Sequence, residues 1–267
     1  GLYVFQLDGA RWGPPASWQR DVNWFGAGKK LNNVDICRRF AAGAAQWNIV
    51  AAANRTDRSI DVFRVRTDPG GDFTGLELAG RIPIGPGFAE GTDAPYGGAF
   101  YSSATSGRCF VFASDKGGRV AQYELRFNPD GAGTNQVNGR RHDDHGRPWQ
   151  ISEQGCEIEG IVADDAQAVV YFGSEDEGIF RYRLADGVLD PASKVVVDRV
   201  GPRLTADVEG LTLYGLPDGS GYLIASSQGS DRFVIYDRAF THGFPNPPVA
   251  VFAIGSFGLM DGVSDSD

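Results

Sequence analysis

The chain has 267 residues with 37 Gly, 14 Pro, a single Met and 12% aromatics, and no long segment carries helical apolar spacing, so the composition predicts an all-β protein. A formal charge of −9 argues against a nucleic-acid partner, whose affinity would rest on basic phosphate contacts. Hydrophobic residues make up 42%, enough for a substantial core, and no apolar run approaches the roughly 20 residues of a membrane-crossing helix.

The first element, GLYVFQLDG, is a strand pattern without a leader, so any targeting peptide is expected outside this segment. It is also half of a hairpin that recurs four times: IVAAANRTDRSIDVFRV from Ile49, FVFASDKGGRVAQYEL from Phe110, VVYFGSEDEGIFRYRL from Val169 and YLIASSQGSDRFVIYDR from Tyr222. Each full copy ends on an aromatic, at Phe63, Tyr123, Tyr182 and Tyr236, at intervals of 60, 59 and 54 residues, with Phe5 a further 58 upstream. Strands and turns repeated at this length predict the blades of a β-propeller. At about 58 residues per copy the chain holds about 4.6 blades, which predicts a partial propeller over residues 1–267 that lacks N-terminal and closing segments.

Each unit has an earlier strand whose first residue also recurs: Asn33 of NVDI, Tyr96 of YGGAFY, Glu159 of EGIVAD, Glu209 of EGLTLY and Asp261 of DGVSDS. Two chain reversals follow, so the turn after the second strand returns to the rim on which the first strand begins. Arg55, Lys116 and Glu175 occupy that second turn. The turns SATSG, DDAQ and LPDGSG fall to the opposite rim.

This geometry sorts one rim by charge. Arg55 and Lys116, with Tyr96 between them, form a basic arc; Glu159, Glu175, Asp176, Glu177, Asp207, Glu209, Asp261, Asp265 and Asp267 form an acidic one. Two carboxylates about 4 Å apart repel by roughly 4 kcal/mol at an effective dielectric of 20, which favours a shared proton or bound cations. Carboxylates, carbonyls and a phenol without His or Cys suit calcium and disfavour zinc. Acids carrying calcium beside Arg and Lys suit a phosphate ester, and the reaction class they predict is phosphomonoester hydrolysis. The plainer reading has the acids capping turns, binding structural calcium or keeping the rim soluble.

Other motifs weigh less. Cys37, Cys109 and Cys156 fall in different blades without metal-type spacing; buried inert thiols are expected, with one disulfide left open. His142 and His145 of RRHDDHGR are expected in a solvated loop, and the sequon Asn54-Arg55-Thr56 overlaps the phosphate arginine and is expected to be incidental. There is no Gly-rich phosphate loop of the strand-to-helix kind, and no Ser or Cys has a convincing His partner.

The runs KLNNVDI, AAANRT, EGIVADD, FGSEDEGIF, ADVEGLTLY, GYLIASSQG and DGVSDSD, in this order over the whole chain, closely resemble the β-propeller phytases. The resemblance implies a six-bladed propeller, several calcium ions, and stepwise release of phosphate from phytate, myo-inositol hexakisphosphate, bound as its calcium complex. It implies a secreted or periplasmic monomer that engages neither nucleic acid nor membrane. By motif, Arg55 and Lys116 resemble the phosphate ligands. Tyr96, Glu159, Glu175, Asp207 and Glu209 resemble the holders of catalytic calcium and attacking water. Asp261 and Gly262, with the Val34 carbonyl, resemble a structural calcium site, and Asp267 resembles a further active-site acid. Gly117 after Lys116, and Ser174, stand where the family often has acids. A propeller lactonase or esterase, and a non-catalytic phosphate-binding propeller, are the alternatives.

Overall fold

The computed structural model describes residues 30–88, 94–143, 146–241 and 243–253. These fold into four antiparallel sheets, one per sequence repeat, arranged as propeller blades. The first holds β1 (Leu31–Ala42), β2 (Ala45–Asn54), β3 (Ser59–Thr67) and β4 (Phe73–Pro83) in that order. The second holds β5 (Gly98–Ser102), β6 (Cys109–Ser114), β7 (Arg119–Phe127) and β8 (Val137–His142), with β9 (Trp149–Gln150) also paired to β7. The third holds β10 (Ile158–Asp164), β11 (Val169–Ser174), β12 (Gly178–Ala185) and β13 (Val188–Leu189), with β14 (Val195–Arg199) against β12. The fourth holds β15 (Val208–Gly215), β16 (Gly221–Ser227), β17 (Arg232–Asp237) and β18 (Ala250–Phe252).

The recurring aromatics explain the blade. Phe63, Tyr123, Tyr182 and Tyr236 sit on the third strands, nearly inaccessible, opposite Val50, Val111, Val170 and Leu223 of the second strands. The second strands of the middle blades, CFVFAS and VVYFGS, are buried along their whole length because neighbouring sheets cover both faces. Ring contacts join the layers, as where Phe112 of the second blade meets Phe172 of the third edge-on at 5.8 Å. Burying one such side chain contributes about 1.5–3 kcal/mol, so the packing between sheets carries the fold.

The first strands are more polar, and residues from β1, β5, β10 and β15, among them Asn33, Val34, Gly98, Gly160 and Thr212, line a channel of about 290 Å³. Glycine is required where these strands meet at the rim. A Cβ on Gly97 would lie 2.3 Å from the Glu159 carbonyl oxygen, and one on Gly160 would lie 1.8 Å from that of Glu209. The motif of a functional side chain followed by Gly thus places one rim residue and lets the next blade approach its backbone.

Polar links join the blades away from that rim. Arg238 of the fourth blade donates to both carboxylate oxygens of Asp164 in the third, at 2.5 and 2.6 Å, with both side chains buried. Gln122 of the second blade donates to Gly187 O and accepts from Leu189 N of the third. Cys37 of β1 is joined to Cys109 of β6 in a disulfide that spans 72 positions, in place of the free buried thiols expected for that pair; Cys156 is free. His142 ends β8 rather than lying in a loop, with Nε2 3.0 Å from Glu124 Oε2. Phe5 and His145 lie outside the described residues.

Candidate active site

The rim is built from turns held at both ends. Asn54, fully buried, donates to Asp61 at 2.8 Å and accepts from Asp57 N at 3.0 Å, which closes the turn that presents Arg55. The same burial leaves the sequon at Asn54 without an exposed amide. In the second blade Asp115 accepts from Gly117 N and Arg119 N, each at 2.9 Å, and so shapes the turn carrying Lys116. In the third blade Glu175 N donates to Glu157 O at 3.1 Å while Glu175 O accepts from Val208 N at 3.0 Å. That turn is therefore tied to the inner strands of both its own blade and the next.

On this frame Glu159, Glu175 and Glu209 each bring a carboxylate oxygen within 4.8 Å of the other two. Glu159 comes from β10, Glu175 from the turn after β11 and Glu209 from β15, so three sequence-distant elements make one cluster. Asn32 bridges into it, donating from Nδ2 to Glu159 Oε1 at 3.0 Å and to Tyr96 O at 2.9 Å. Asn33 donates to the Glu159 carbonyl at 3.0 Å.

Tyr96 stands where the two arcs meet. The Arg55 guanidinium lies 5.1 Å from the centre of its ring and the Lys116 ammonium 4.2 Å. Burial first, then its hydrogen bond and proximity to Glu159, raise the phenol well above its ordinary pKa, so it keeps its proton at any working pH. Burial, followed by the charge of Glu157, pushes the Glu175 carboxyl up to about 8, and the Lys116 ammonium offsets part of this. Glu175 Oε1 is buried without a hydrogen-bond partner in the protein. An ion with ligand bonds of about 2.3–2.6 Å joins oxygens up to about 5 Å apart, so the three-carboxylate cluster fits one hard divalent cation.

The other rim acids separate by role. Glu177 points into the neighbouring loop, accepting from Ser152 Oγ, Glu153 N at 3.1 Å and Gln154 N at 2.7 Å; these bonds hold it below the usual carboxylate range even though burial alone would raise it. It is a structural cap, outside the acidic face. Asp176 is exposed. Asp207 precedes β15 and its carbonyl accepts from Gln228 N at 2.9 Å; its carboxylate is not one of the three that converge. Val34 is 55% exposed on β1 beside the channel, while Asp261, Gly262, Asp265 and Asp267 lie outside the described residues. The sequence reading missed Asn32 and Glu157. Glu157 had one signal, its place two residues before Glu159 on an extended segment, which puts both side chains on one face.

A family model described as Phytase matches residues 15–267. A 3-phytase of Bacillus subtilis (strain 168) is 34% identical over 270 aligned positions, which cover 100% of this chain and 62% of the relative. The chain therefore spans less than two thirds of that protein's length. Among solved structures, Sqt1 of Chaetomium thermophilum is similar with a TM-score of 0.47 and 15% identity over 84% of this chain and 49% of its own. A Polycomb Repressive Complex 2 chain of the same organism has a TM-score of 0.46 and 12% identity over 78% and 42%. Likeness at that level says nothing of activity. The family model and the Bacillus relative together show that this chain belongs to the phytase family.

Proposed function

We propose that the chain carries the site of a calcium-dependent phosphomonoester hydrolase that removes phosphate from phytate one group at a time. The observation that supports this most is the meeting at Tyr96 of two cationic side chains with three converging carboxylates. Arg55 grips two oxygens of a phosphate with its planar fork, and Lys116 adds a point charge to a third. Glu159, Glu175 and Glu209, with Asp207 alongside, would hold calcium; Asp261, Gly262 and the Val34 carbonyl would hold a structural ion, and Asp267 would add an acid. Bound calcium would neutralise phosphate oxygens and lower the pKa of the water that attacks phosphorus. Tyr96, protonated throughout, donates its hydroxyl hydrogen and keeps Glu159 oriented.

The reaction adds water across one phosphorus–oxygen bond, giving inorganic phosphate and an inositol hydroxyl. A polyanion of this kind suits a rim with cations of both sources, and the resemblance to the phytases supports a monomer that acts outside the cytoplasm. Among the described residues no helix is long and apolar enough to cross a membrane. The test is phosphate release from phytate by the full chain with calcium and then with chelator. Release only with calcium is expected; binding of phytate without release under calcium would overturn the hydrolase reading in favour of a binding propeller.

A further inference from the structure

Lys116 is not presented freely on the rim. Its ammonium donates to Glu157 Oε2 at 2.5 Å while resting 4.2 Å from the centre of the Tyr96 ring. Glu157 belongs to none of the recurring positions, yet it touches the site twice: its carboxylate takes Lys116, and its carbonyl accepts from Glu175 N at 3.1 Å. The Lys116 and Glu157 side chains are 29% and 32% exposed, so the pair is reachable by solvent and by a small dianion.

We infer that Glu157 is a positioning residue that parks Lys116 on Tyr96 in the substrate-free site and surrenders it to a phosphate oxygen when substrate arrives. This rests on the reading of Lys116 as a phosphate ligand. A lysine ammonium is a compact point charge, and moving it from a monoanionic carboxylate to a phosphate dianion increases its attraction at equal distance. The exchange has a second consequence. Once Lys116 leaves, Glu157 is a fourth carboxylate next to Glu159, Glu175 and Glu209, and its charge is no longer offset by an ammonium. A divalent cation then supplies the offset, so phosphate and cation each improve the binding of the other, by the same factor in both directions.

Inorganic phosphate is the probe, its dissociation constant measured on the full chain by calorimetry, first in chelator and then with calcium. In chelator Glu157→Gln is expected to bind phosphate about threefold tighter than wild type, the range of a solvent-reachable ion pair. The gain that calcium gives to phosphate affinity is expected to shrink in this variant. Glu157→Ser, small enough to leave its neighbours in place, carries the same expectation if the Gln form does not fold. In a Lys116→Gln background the change at Glu157 is expected to give a clearly smaller gain in phosphate affinity, limited to relief of charge repulsion, an outcome that a merely structural role for Glu157 does not produce. Unchanged or weaker phosphate binding by the Glu157 variants overturns the inference alone. If Lys116→Gln leaves phosphate affinity at the wild-type value, the phosphate role of Lys116 falls and the inference falls with it.

Discussion

Removing the charge of Asp164 tests whether the active rim depends on a contact at the far end of the same strand. Asp164 ends β10, the strand that carries Glu159, and its side chain is almost wholly buried beneath Arg238 of the fourth blade. Besides two bonds from the guanidinium, it accepts from Ala166 N at 3.2 Å and Gln167 N at 3.0 Å. Asp164→Asn keeps an acceptor for the turn and deletes the charge. Arg238 is then a buried cation left with the carbonyls of Gly219 and Ser220 as acceptors. Breaking a buried pair from one side costs about 3–5 kcal/mol, because the remaining charge is left without compensation. For a chain of this size that lowers the melting midpoint by about 6–20 °C. Replacing both partners, as Asp164→Asn with Arg238→Met, is expected to cost less than the sum of the single changes, since no orphaned charge remains. Thermal unfolding of the four proteins supplies the cycle. A loss below about 1 kcal/mol for Asp164→Asn, or strict additivity in the cycle, refutes the argument. Calcium affinity is expected to weaken in the single variant too, because Glu159 and Glu175 ride on the third blade and Glu209 on the fourth.

Three further expectations follow from the same geometry. Gly160→Ala sets a methyl 1.8 Å from the Glu209 carbonyl, so it forces the third and fourth blades apart; a loss of about 1–3 kcal/mol is expected together with a weaker calcium response, and an unchanged melt in both conditions contradicts it. Glu159→Gln retains an acceptor for Asn32 but removes one of the three converging carboxyl groups. Calcium at about 100 times its dissociation constant is expected to stabilise the wild type by about 2.7 kcal/mol and the variant by far less, with phytate turnover down about 100-fold, as checked by melting and phosphate release. Reducing the Cys37–Cys109 bond, which closes a loop of 72 positions, is expected to cost up to about 4 kcal/mol. Thiol titration of the denatured chain is expected to find one free thiol before reduction and three after.

The sequence made the blades legible because the signal repeats. A buried aromatic opposite an aliphatic residue on the second strand is demanded once per sheet, and Phe63, Tyr123, Tyr182 and Tyr236 meet that demand at nearly even spacing. Strand direction then put Arg55, Lys116, Glu159, Glu175 and Glu209 on one rim. What the repeat hid were residues whose role comes from a neighbouring blade. Glu157 lies outside the repeated positions, and Asn32 of the first blade finds its partners 64 and 127 positions away. Glu177 failed in the opposite way: it sits in the acidic run, yet three donors from the 152–154 loop turn it from the site. A charge count cannot separate a carboxylate that waits for a ligand from one already satisfied by backbone N–H groups. The hydrogen-bond partners can.

That difference in satisfaction explains how one rim carries several acids and keeps its shape. Glu177 accepts from the backbone of the 153–154 loop and lies 3.7 Å from the Arg199 guanidinium, and Asp115 Oδ1 accepts from two backbone N–H groups while Arg119 stands 3.9 Å from its other oxygen, so each has a cation and N–H dipoles at hand. Glu159, Glu175 and Glu209 converge on one another as well, with Glu159 accepting from Asn32, and Glu175 Oε1 is buried without a hydrogen-bond partner in the protein. The Lys116 ammonium reaches Glu157 and eases the charge at Glu175, but a single positive charge leaves the cluster net negative. Rigid turns prevent the carboxylates from relieving their repulsion by moving apart. Part of that repulsion is met by a proton on Glu175, whose carboxyl is pushed up to about 8 by burial and the charge of Glu157, and a hard divalent cation would take over that role without any large motion of the blades. A site made this way gains its affinity from the fold's refusal to relax. Loosening the contact between the third and fourth blades is therefore expected to weaken cation binding even when every ligand is intact.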